Sequence, residues 1–256
     1  MAAGDPWAVG DSYERYVGRW SRQVAARFLA WLTAPADLDW LDVGCGTGAL
    51  AGAVAQTCRP RRLVGIDPST GFLDLARRQP GLARAELRPG DARTLPFPDR
   101  TFDRVVSGLA LNFVPDPVLA LQEMARVTRP GGQVALYVWD YARVELMTHF
   151  WAVAEALDPD GPELDEAVRF PLCREDALTQ LFAGEGSLDP SATRAIEIDT
   201  QFRDFDDYWS PFLGGQGIAP AYCMSLPEER RAELCRQVRR RLPIAADGSI
   251  RLRARA

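Results

Sequence analysis

The amino-acid sequence predicts an α/β fold, a mostly parallel sheet with helices on both faces. Three observations carry that reading. Short apolar runs without polar alternation recur over residues 38–140, as in strands buried on both faces. Helix-forming stretches separate them, which is the order of a doubly wound sheet. The first run ends in Leu41-Asp42-Val43-Gly44-Cys45-Gly46-Thr47-Gly48, where glycines at alternate positions turn a strand sharply into a helix. Such glycines tolerate φ > 0 and let a nucleotide-like ligand lie on the backbone.

Residues 12–34 read as one or two amphipathic helices rich in aromatics, Tyr13, Tyr16, Trp20, Phe28 and Trp31 among them, and Pro35 stops them. A strand is expected at 38–43, then the glycine turn, then an alanine-rich helix at 48–57. A second strand, Arg62–Asp67, leads into a helix that Ser69 is placed to cap. Pro80-Gly81 follows its end, and a weaker strand lies at 84–88. A loop at 89–101 precedes the strand Phe102–Ser107. Asp116 caps the next helix, with Pro117 at its first position. Pro130-Gly131-Gly132 is expected to end that helix and open a fifth strand, Gln133–Trp139.

After residue 140 the pattern changes. Helices are expected at 144–157, 175–183 and 226–241, a strand at 193–202, and a polar, aromatic stretch over 204–217. In the closing Ser249–Arg255, apolar residues alternate with arginines, as in a half-exposed strand. The last two strands are expected to add antiparallel to the parallel core. The chain is thus read as one domain: a helical cap (1–35), a ligand-binding core (36–140), and substrate-side helices, an insertion and the final strands (141–256).

Composition narrows the function. The chain has 256 residues, a net charge of −5, and 30 basic residues that are all arginine. Without lysine, Schiff-base chemistry is excluded. The acidic balance argues against nucleic-acid binding, and the Arg236–Arg241 cluster reads as a solvated helix face. No apolar run is long enough to span a membrane. The first residues lack the basic and apolar regions of a secretory signal. Five scattered cysteines form no CxxC pair, so they read as reduced thiols of a cytoplasmic protein with no metal site. Cys45 reads as a small space-filler in the turn.

Four features carry chemistry, and they occur in order. The Gly44/Gly46/Gly48 turn is the first. Asp67, at the end of the second strand, is placed to accept hydrogen bonds from two ribose hydroxyls. Gly90-Asp91-Ala92 follows the third strand, where a carboxylate can meet the exocyclic amine of an adenine. Ser107-Gly108-Leu109-Ala110-Leu111-Asn112-Phe113 follows the fourth and would border a reacting centre.

Taken together, LDVGCGTG (41–48), VGIDPS (64–69), GDARTLPFPDRTFD (90–103) and LQEMARVTRPGGQVAL (121–136) resemble the class I S-adenosylmethionine-dependent methyltransferases. The likeness is closest to the small-molecule, ubiquinone/menaquinone-type branch, and YERYVGRWSR (13–22) looks like the cap of some relatives. The resemblance implies a Rossmann-like, seven-stranded, mostly parallel sheet with an antiparallel last strand. It implies S-adenosylmethionine as cofactor, S-adenosylhomocysteine as product, and no metal. Gly44, Gly46 and Gly48, with Cys45 between them, would approach the methionine and ribose. Asp42 would support the turn, Asp67 would hold the ribose, and Asp91 and Ala92 would meet the adenine near Pro68 and Arg93. Gly108 and Leu109 would lie under the sulfonium, Phe113 would belong to the cofactor site, and Arg19 would pair with the cofactor carboxylate.

The acceptor is expected to be a small molecule, with neither nucleic acid nor membrane as partner, acting on a monomer or homodimer. Tyr16, Trp20, Asn112, Trp139, Tyr141, Tyr208, Trp209 and Phe212 are candidates to line its pocket. His149, the only histidine, and Asn112 and Tyr141 are the catalytic candidates. Where relatives often carry a histidine, this chain has Leu111-Asn112-Phe113. A methyl transfer needs a base only if the nucleophile must lose a proton. With one histidine and no lysine, the acceptor is read as already acidic, or nucleophilic at carbon.

Three rivals remain at this point. A nicotinamide-dependent oxidoreductase would share the turn, but the GxGxG spacing and the missing lysine oppose it. A nucleic-acid methyltransferase would carry an Asn/Asp-Pro-Pro-aromatic loop after strand four. A protein that binds the cofactor without methyl transfer stays open.

Overall fold

The computed structural model describes residues 18–158, 161–188, 192–214 and 217–256. In chain order it forms α1 (Arg19–Leu32), β1 (Asp39–Val43), α2 (Ala49–Thr57), β2 (Arg62–Asp67), α3 (Thr70–Arg77), β3 (Glu86–Pro89) and β4 (Phe102–Gly108). Then come α4 (Pro117–Val127), β5 (Thr128–Tyr137), α5 (Glu145–Leu157), α6 (Glu166–Arg169) and α7 (Glu175–Glu185). The last elements are β6 (Glu197–Phe202), α8 (Phe205–Trp209), α9 (Ile218–Ser225), α10 (Glu228–Arg241) and β7 (Ile250–Arg255). The described residues divide into two compact units, one within 21–138 and 174–196, the other within 18–20, 139–173 and 197–256.

The first unit holds a five-stranded parallel sheet in the order β3-β2-β1-β4-β5. Every residue of β1 is buried, and so is β2 after Arg62, as the unbroken apolar runs require. Right-handed crossovers place α2 and α3 on one face and α4 on the other. Strand order reverses between β1 and β4, so the crevice at their carboxyl ends is where a ligand is received. The core beneath contains Leu41, Val43, Val64, Ile66, Phe102, Val105, Met124 and Val127. At the other end of the sheet, Asp39 and Asp103 share Arg61 and Arg129.

Local signals set most boundaries. The Ser69 hydroxyl accepts the Phe72 N–H at 3.3 Å and starts α3. Asp116 accepts the Leu119 N–H at 3.0 Å and starts α4, with Pro117 at its first position. Asp116→Ala should cost about 1 kcal/mol of stability, which urea unfolding would read. A variant as stable as the parent would mean that the cap is redundant.

Two expectations are corrected. Helix α4 ends at Val127, and β5 begins at Thr128, so Pro130-Gly131-Gly132 lies inside the strand. It does not break the pairing but bulges out: Phe102 pairs with Thr128 and Arg104 with Gln133. A Cβ on Gly132 would meet the Asp103 carbonyl at 2.9 Å, so only glycine fits there. The expected seven-stranded sheet is not formed either. Strands β6 and β7 pair antiparallel with each other as a separate two-stranded sheet, with Thr200 opposite Leu252. In both strands, buried residues alternate with exposed ones. That is the pattern of a ribbon with one wet face, unlike β1 and β2.

The second unit is built on aromatic rings. Phe202 packs on Trp20 and Tyr208, Tyr208 on Phe212, and Phe212 stacks on Phe150 with centroids 4.5 Å apart. The Tyr208 hydroxyl is committed to the Leu146 carbonyl at 2.8 Å. Asp140 pairs with Arg255, and its N–H donates to the Arg255 carbonyl at 2.9 Å, tying β7 to the chain after residue 139. Helix α9 is an addition to the expected elements. Gly214-Gly215-Gln216-Gly217 and Pro220 read as breakers, but a proline is tolerated in a first helical turn. Among the described residues, no helix is long and apolar enough to cross a membrane.

Candidate functional site

The turn after β1 is held by its backbone. The Gly44 and Cys45 N–H groups both donate to the Ile66 carbonyl, at 2.7 and 2.9 Å, and Gly48 N–H closes on the Cys45 carbonyl at 2.8 Å. Gly44, Gly46 and Gly48 have φ of 74°, 52° and 90°. They do different work. A Cβ on Gly44 would lie 2.4 Å from the Ala110 Cβ, so Gly44 lets the loop after β4 approach. A Cβ on Gly48 would meet Leu82 and Ala76, so it lets the chain after α3 pack in. A Cβ on Gly46 would meet nothing within 4 Å, which marks the open face of the turn. The Gln79 amide donates to the Thr47 carbonyl and braces the turn from behind, a contact with no sequence signal.

Asp67 is aimed at this turn. One carboxylate oxygen accepts the Gly46 N–H at 2.8 Å, and the other accepts the Ser69 N–H at 2.8 Å. Two backbone donors fix the carboxylate beside the turn. Asp42 differs. It is fully buried, and among the described residues no side chain donates to it. Burial pushes its carboxyl up to about 7; the Ala51 N–H in the first turn of α2 opposes this, and Asp67 adds to it. Burial, with Asp42 and Asp67 nearby, pushes the Cys45 thiol well above its ordinary range. It is no nucleophile; its sulfur fills the space beside Gly65.

The other core residues sit at neighbouring strand ends. Gly90 N–H donates to the Asp67 carbonyl at 3.2 Å. Asp91 accepts the Arg93 N–H at 2.8 Å and the Arg93 side chain at 2.6 Å, and Arg93 holds its carboxyl below the usual range. Pro68 is exposed and Ala92 packs partly against the core. After β4, Leu109 adopts a left-handed φ of 58° while its N–H donates to the Tyr137 carbonyl at 2.8 Å. Such a conformation costs a non-glycine residue about 1–2 kcal/mol, strain typical of a working loop. A Cβ on Gly108 would strike the Tyr137 hydroxyl at 2.6 Å. The Asn112 amide nitrogen is buried without a partner, and Phe113 is exposed.

In the second unit, Arg19 lies between the Trp20 and Phe202 rings, 4.6 and 4.7 Å from their centroids. Its Nη1 pairs with Asp207 at 3.2 Å, while Nε and Nη2 are buried without partners. Trp20, Tyr208, Trp209 and Phe212 come together in the ring cluster. Trp139 is buried, and Tyr141 packs on Phe170. Tyr16 lies outside the described residues.

His149 is half-buried, and its Nδ1 has no partner. Burial and then Arg241 push its pKa below the ordinary value, with Glu145 opposing. Its single imidazole resonance should titrate below pH 6.5 by NMR; a midpoint above 7 would mean that Glu145 dominates. Sequence reasoning missed one acid. Glu166 is buried, accepts the Trp151 indole N–H, and is pushed by burial up to about 7. Its segment, Leu164-Asp165-Glu166-Ala167, reads as a solvated turn, so nothing announces it. Among the described residues, no cluster of three potential metal ligands exists.

The turn, Asp67, the Gly90-Asp91 step and the loop after β4 therefore converge at the carboxyl ends of four parallel strands. Residues 41–136 match the family described as the methyltransferase domain. These residues are thus a methyltransferase domain of the S-adenosylmethionine-dependent class. The chain is 44% identical over 108 residues to a Bacillus licheniformis protein named demethylmenaquinone methyltransferase, covering 40% of this chain and 45% of that one. It is 32% identical over 174 residues to a Mycolicibacterium smegmatis protein named fatty-acid O-methyltransferase, covering 67% of this chain and 60% of that one. It thus spans about half the length of these relatives. A solved structure from Bacillus halodurans C-125, of a protein proposed to be a methyltransferase, shares the fold with a TM-score of 0.57 at 18% identity, over 90% of this chain and 94% of that one.

Proposed function

We propose that this chain, acting as one cytoplasmic domain, transfers a methyl group from S-adenosylmethionine to a small, acidic or carbon-nucleophilic acceptor. The observation that carries the reading is the Asp67 carboxylate, fixed by the Gly46 and Ser69 N–H groups beside the open face of Gly46. That arrangement fits a ribose above the turn. When bound, the cofactor supplies an electrophilic methyl on a sulfonium. The protein's part is to position and to exclude water. Asp67 orients the ribose, Gly46 lets the ligand reach the backbone, and Asp91 with Ala92 borders the adenine, Asp91 being oriented by Arg93. Gly108 and Leu109 set the floor after β4. Arg19 keeps an Nε/Nη2 edge, the bidentate face of a guanidinium, for an anion.

The named acceptors of the two relatives, a demethylmenaquinone and a fatty acid, support a small acceptor methylated at carbon or oxygen. The lack of a ready base supports an acidic one: the His149 imidazole is pushed down, and the Tyr208 hydroxyl is buried and committed to the Leu146 carbonyl. Calorimetry should show S-adenosylhomocysteine binding and no NADH binding; the reverse would restore the oxidoreductase reading. Label transfer from methyl-labelled cofactor to a carboxylate, phenol or enol would then identify the accepting atom. No transfer to any of these, with cofactor bound, would favour a binding protein. Loss of turnover in His149→Ala with cofactor affinity intact would show that a base is needed.

A further inference from the structure

The loop after β4 borders the glycine turn and is held there at several points. Leu109 takes its left-handed φ of 58°, with its N–H on the Tyr137 carbonyl. Ala110 lies so close to Gly44 that a Cβ added there would come within 2.4 Å of the Ala110 Cβ. Leu111 is buried. The Phe113 and Val114 N–H groups donate to the Ala110 and Leu111 carbonyls, at 3.0 and 3.1 Å, and close a 3-10 turn over Leu111–Phe113. Backbone bonds thus fix the turn, and none of them uses the Asn112 side chain. That side chain is half-buried, and its Nδ2 is the end turned away from solvent, without a partner among the described residues. A primary amide carries two N–H donors, and withholding them from both water and protein is costly. A turn already held by its backbone has no need of a buried amide, whereas a ligand beside the glycine turn does.

We propose that Asn112 determines specificity for the acceptor: its Nδ2–H donates to the acceptor's reacting oxygen, which arrives as an anion. The inference rests on the cofactor and acceptor reading above. An amide donates but takes up no proton, so it suits an oxygen acid that is ionised before it binds. One lone pair of that oxygen meets the Asn112 N–H, and another forms the new bond to the methyl carbon. The carbon–sulfur bond breaks, its electron pair stays on sulfur, and no proton moves. A hydrogen bond to an ionised oxygen is of the stronger, charge-assisted kind. It also fixes which lone pair faces the methyl, which is an effect of orientation. A protonated amine has no lone pair to offer this donor, so the same amide rejects it.

The test is calorimetric binding of octanoate, 4-nitrophenolate and octylammonium to the protein saturated with S-adenosylhomocysteine, at pH 8. Wild type should bind at least one of the two anions, and more tightly than the ammonium. Asn112→Leu should weaken that anion about thirtyfold while S-adenosylhomocysteine still binds. Asn112→Asp keeps the shape and adds a negative charge, so it should favour the ammonium over both anions. A loss of mere structure would not invert that order. Wild type that binds neither anion or prefers the ammonium would overturn the proposal. So would Asn112→Leu with unchanged anion affinity, or Asn112→Asp that does not favour the ammonium. With S-adenosylhomocysteine bound, each of these results leaves the cofactor reading intact. Failure of wild type to bind S-adenosylhomocysteine would overturn that reading instead. If neither variant folds, the Asn112 side-chain amide protons of isotope-labelled wild type decide by NMR. They should move downfield when the anion is added, and resonances that stay in place would reject the idea.

Discussion

Gly44→Ala is expected to destabilise the fold by about 3 kcal/mol, whereas Gly46→Ala should cost about 1 kcal/mol and yet lose most cofactor affinity. Both positions have left-handed backbone, with φ of 74° and 52°, so both alanines carry conformational strain. They differ in what the new methyl meets. At Gly44 it lies 2.4 Å from the Ala110 Cβ, an atom fixed to its backbone that cannot rotate away. The loop after β4 would have to shift, and overpacking of this kind costs about 1–3 kcal/mol beyond the strain. At Gly46 the methyl meets nothing of the protein. It stands instead where the cofactor would reach the backbone, so affinity for S-adenosylhomocysteine should fall by about thirtyfold or more, near 2 kcal/mol. Urea unfolding and calorimetry separate the two effects. A Gly46→Ala variant that binds normally would remove the ligand from this face of the turn.

The second large effect is on stability as a function of pH. Asp42 and Glu166 are both pushed to about 7 by burial, from ordinary values of 3.8 and 4.5. Between those ordinary values and about 7 the folded chain holds protons that the unfolded chain has lost. Stability therefore falls as pH rises through that window and levels off above it. The shifts correspond to about 4 kcal/mol for Asp42 and about 3 kcal/mol for Glu166, as upper figures. Asp39, Asp103, Glu123 and Asp207 act in the opposite sense. Each is held below the usual range: Arg61 dominates at Asp39 and Arg126 at Glu123, while backbone N–H donors and arginines outweigh burial at Asp103 and Asp207. Their contribution is lost as pH falls below about 4. Urea unfolding without cofactor should thus show greater stability at pH 5 than at pH 8. The double variant Asp42→Asn, Glu166→Gln should abolish most of that difference. A wild-type curve that rises from pH 5 to 8 would mean that these acids are ionised in the fold.

What was legible in the sequence was local or periodic. The Gly44/Gly46/Gly48 turn, the Ser69 cap and the Asp116-Pro117 start each depend on residues within one helical turn, and the structure places them as read. Unbroken apolar runs identified β1 and β2 as strands buried on both sides. Alternation identified β7 as half-exposed but could not name its partner, because pairing is a long-range property. For the same reason the seven-stranded expectation failed. Pro130-Gly131-Gly132 misled because a bulge and a break use the same residues. The burial of Glu166 was invisible, since Trp151 and Ala219 reach it from other helices.

The ion cluster of Asp39, Arg61, Asp103 and Arg129 lies at the amino-terminal ends of β1 and β4, opposite the glycine turn. A sheet pinned at one end by charge and finished at the other by loops separates two kinds of mutational risk. Substitutions at the pinned end threaten folding without altering any ligand. Substitutions in the loops can change what is bound while the frame persists. Such a frame is a practical starting point for directed evolution, in which the loop ends are randomised and the charged end is left alone.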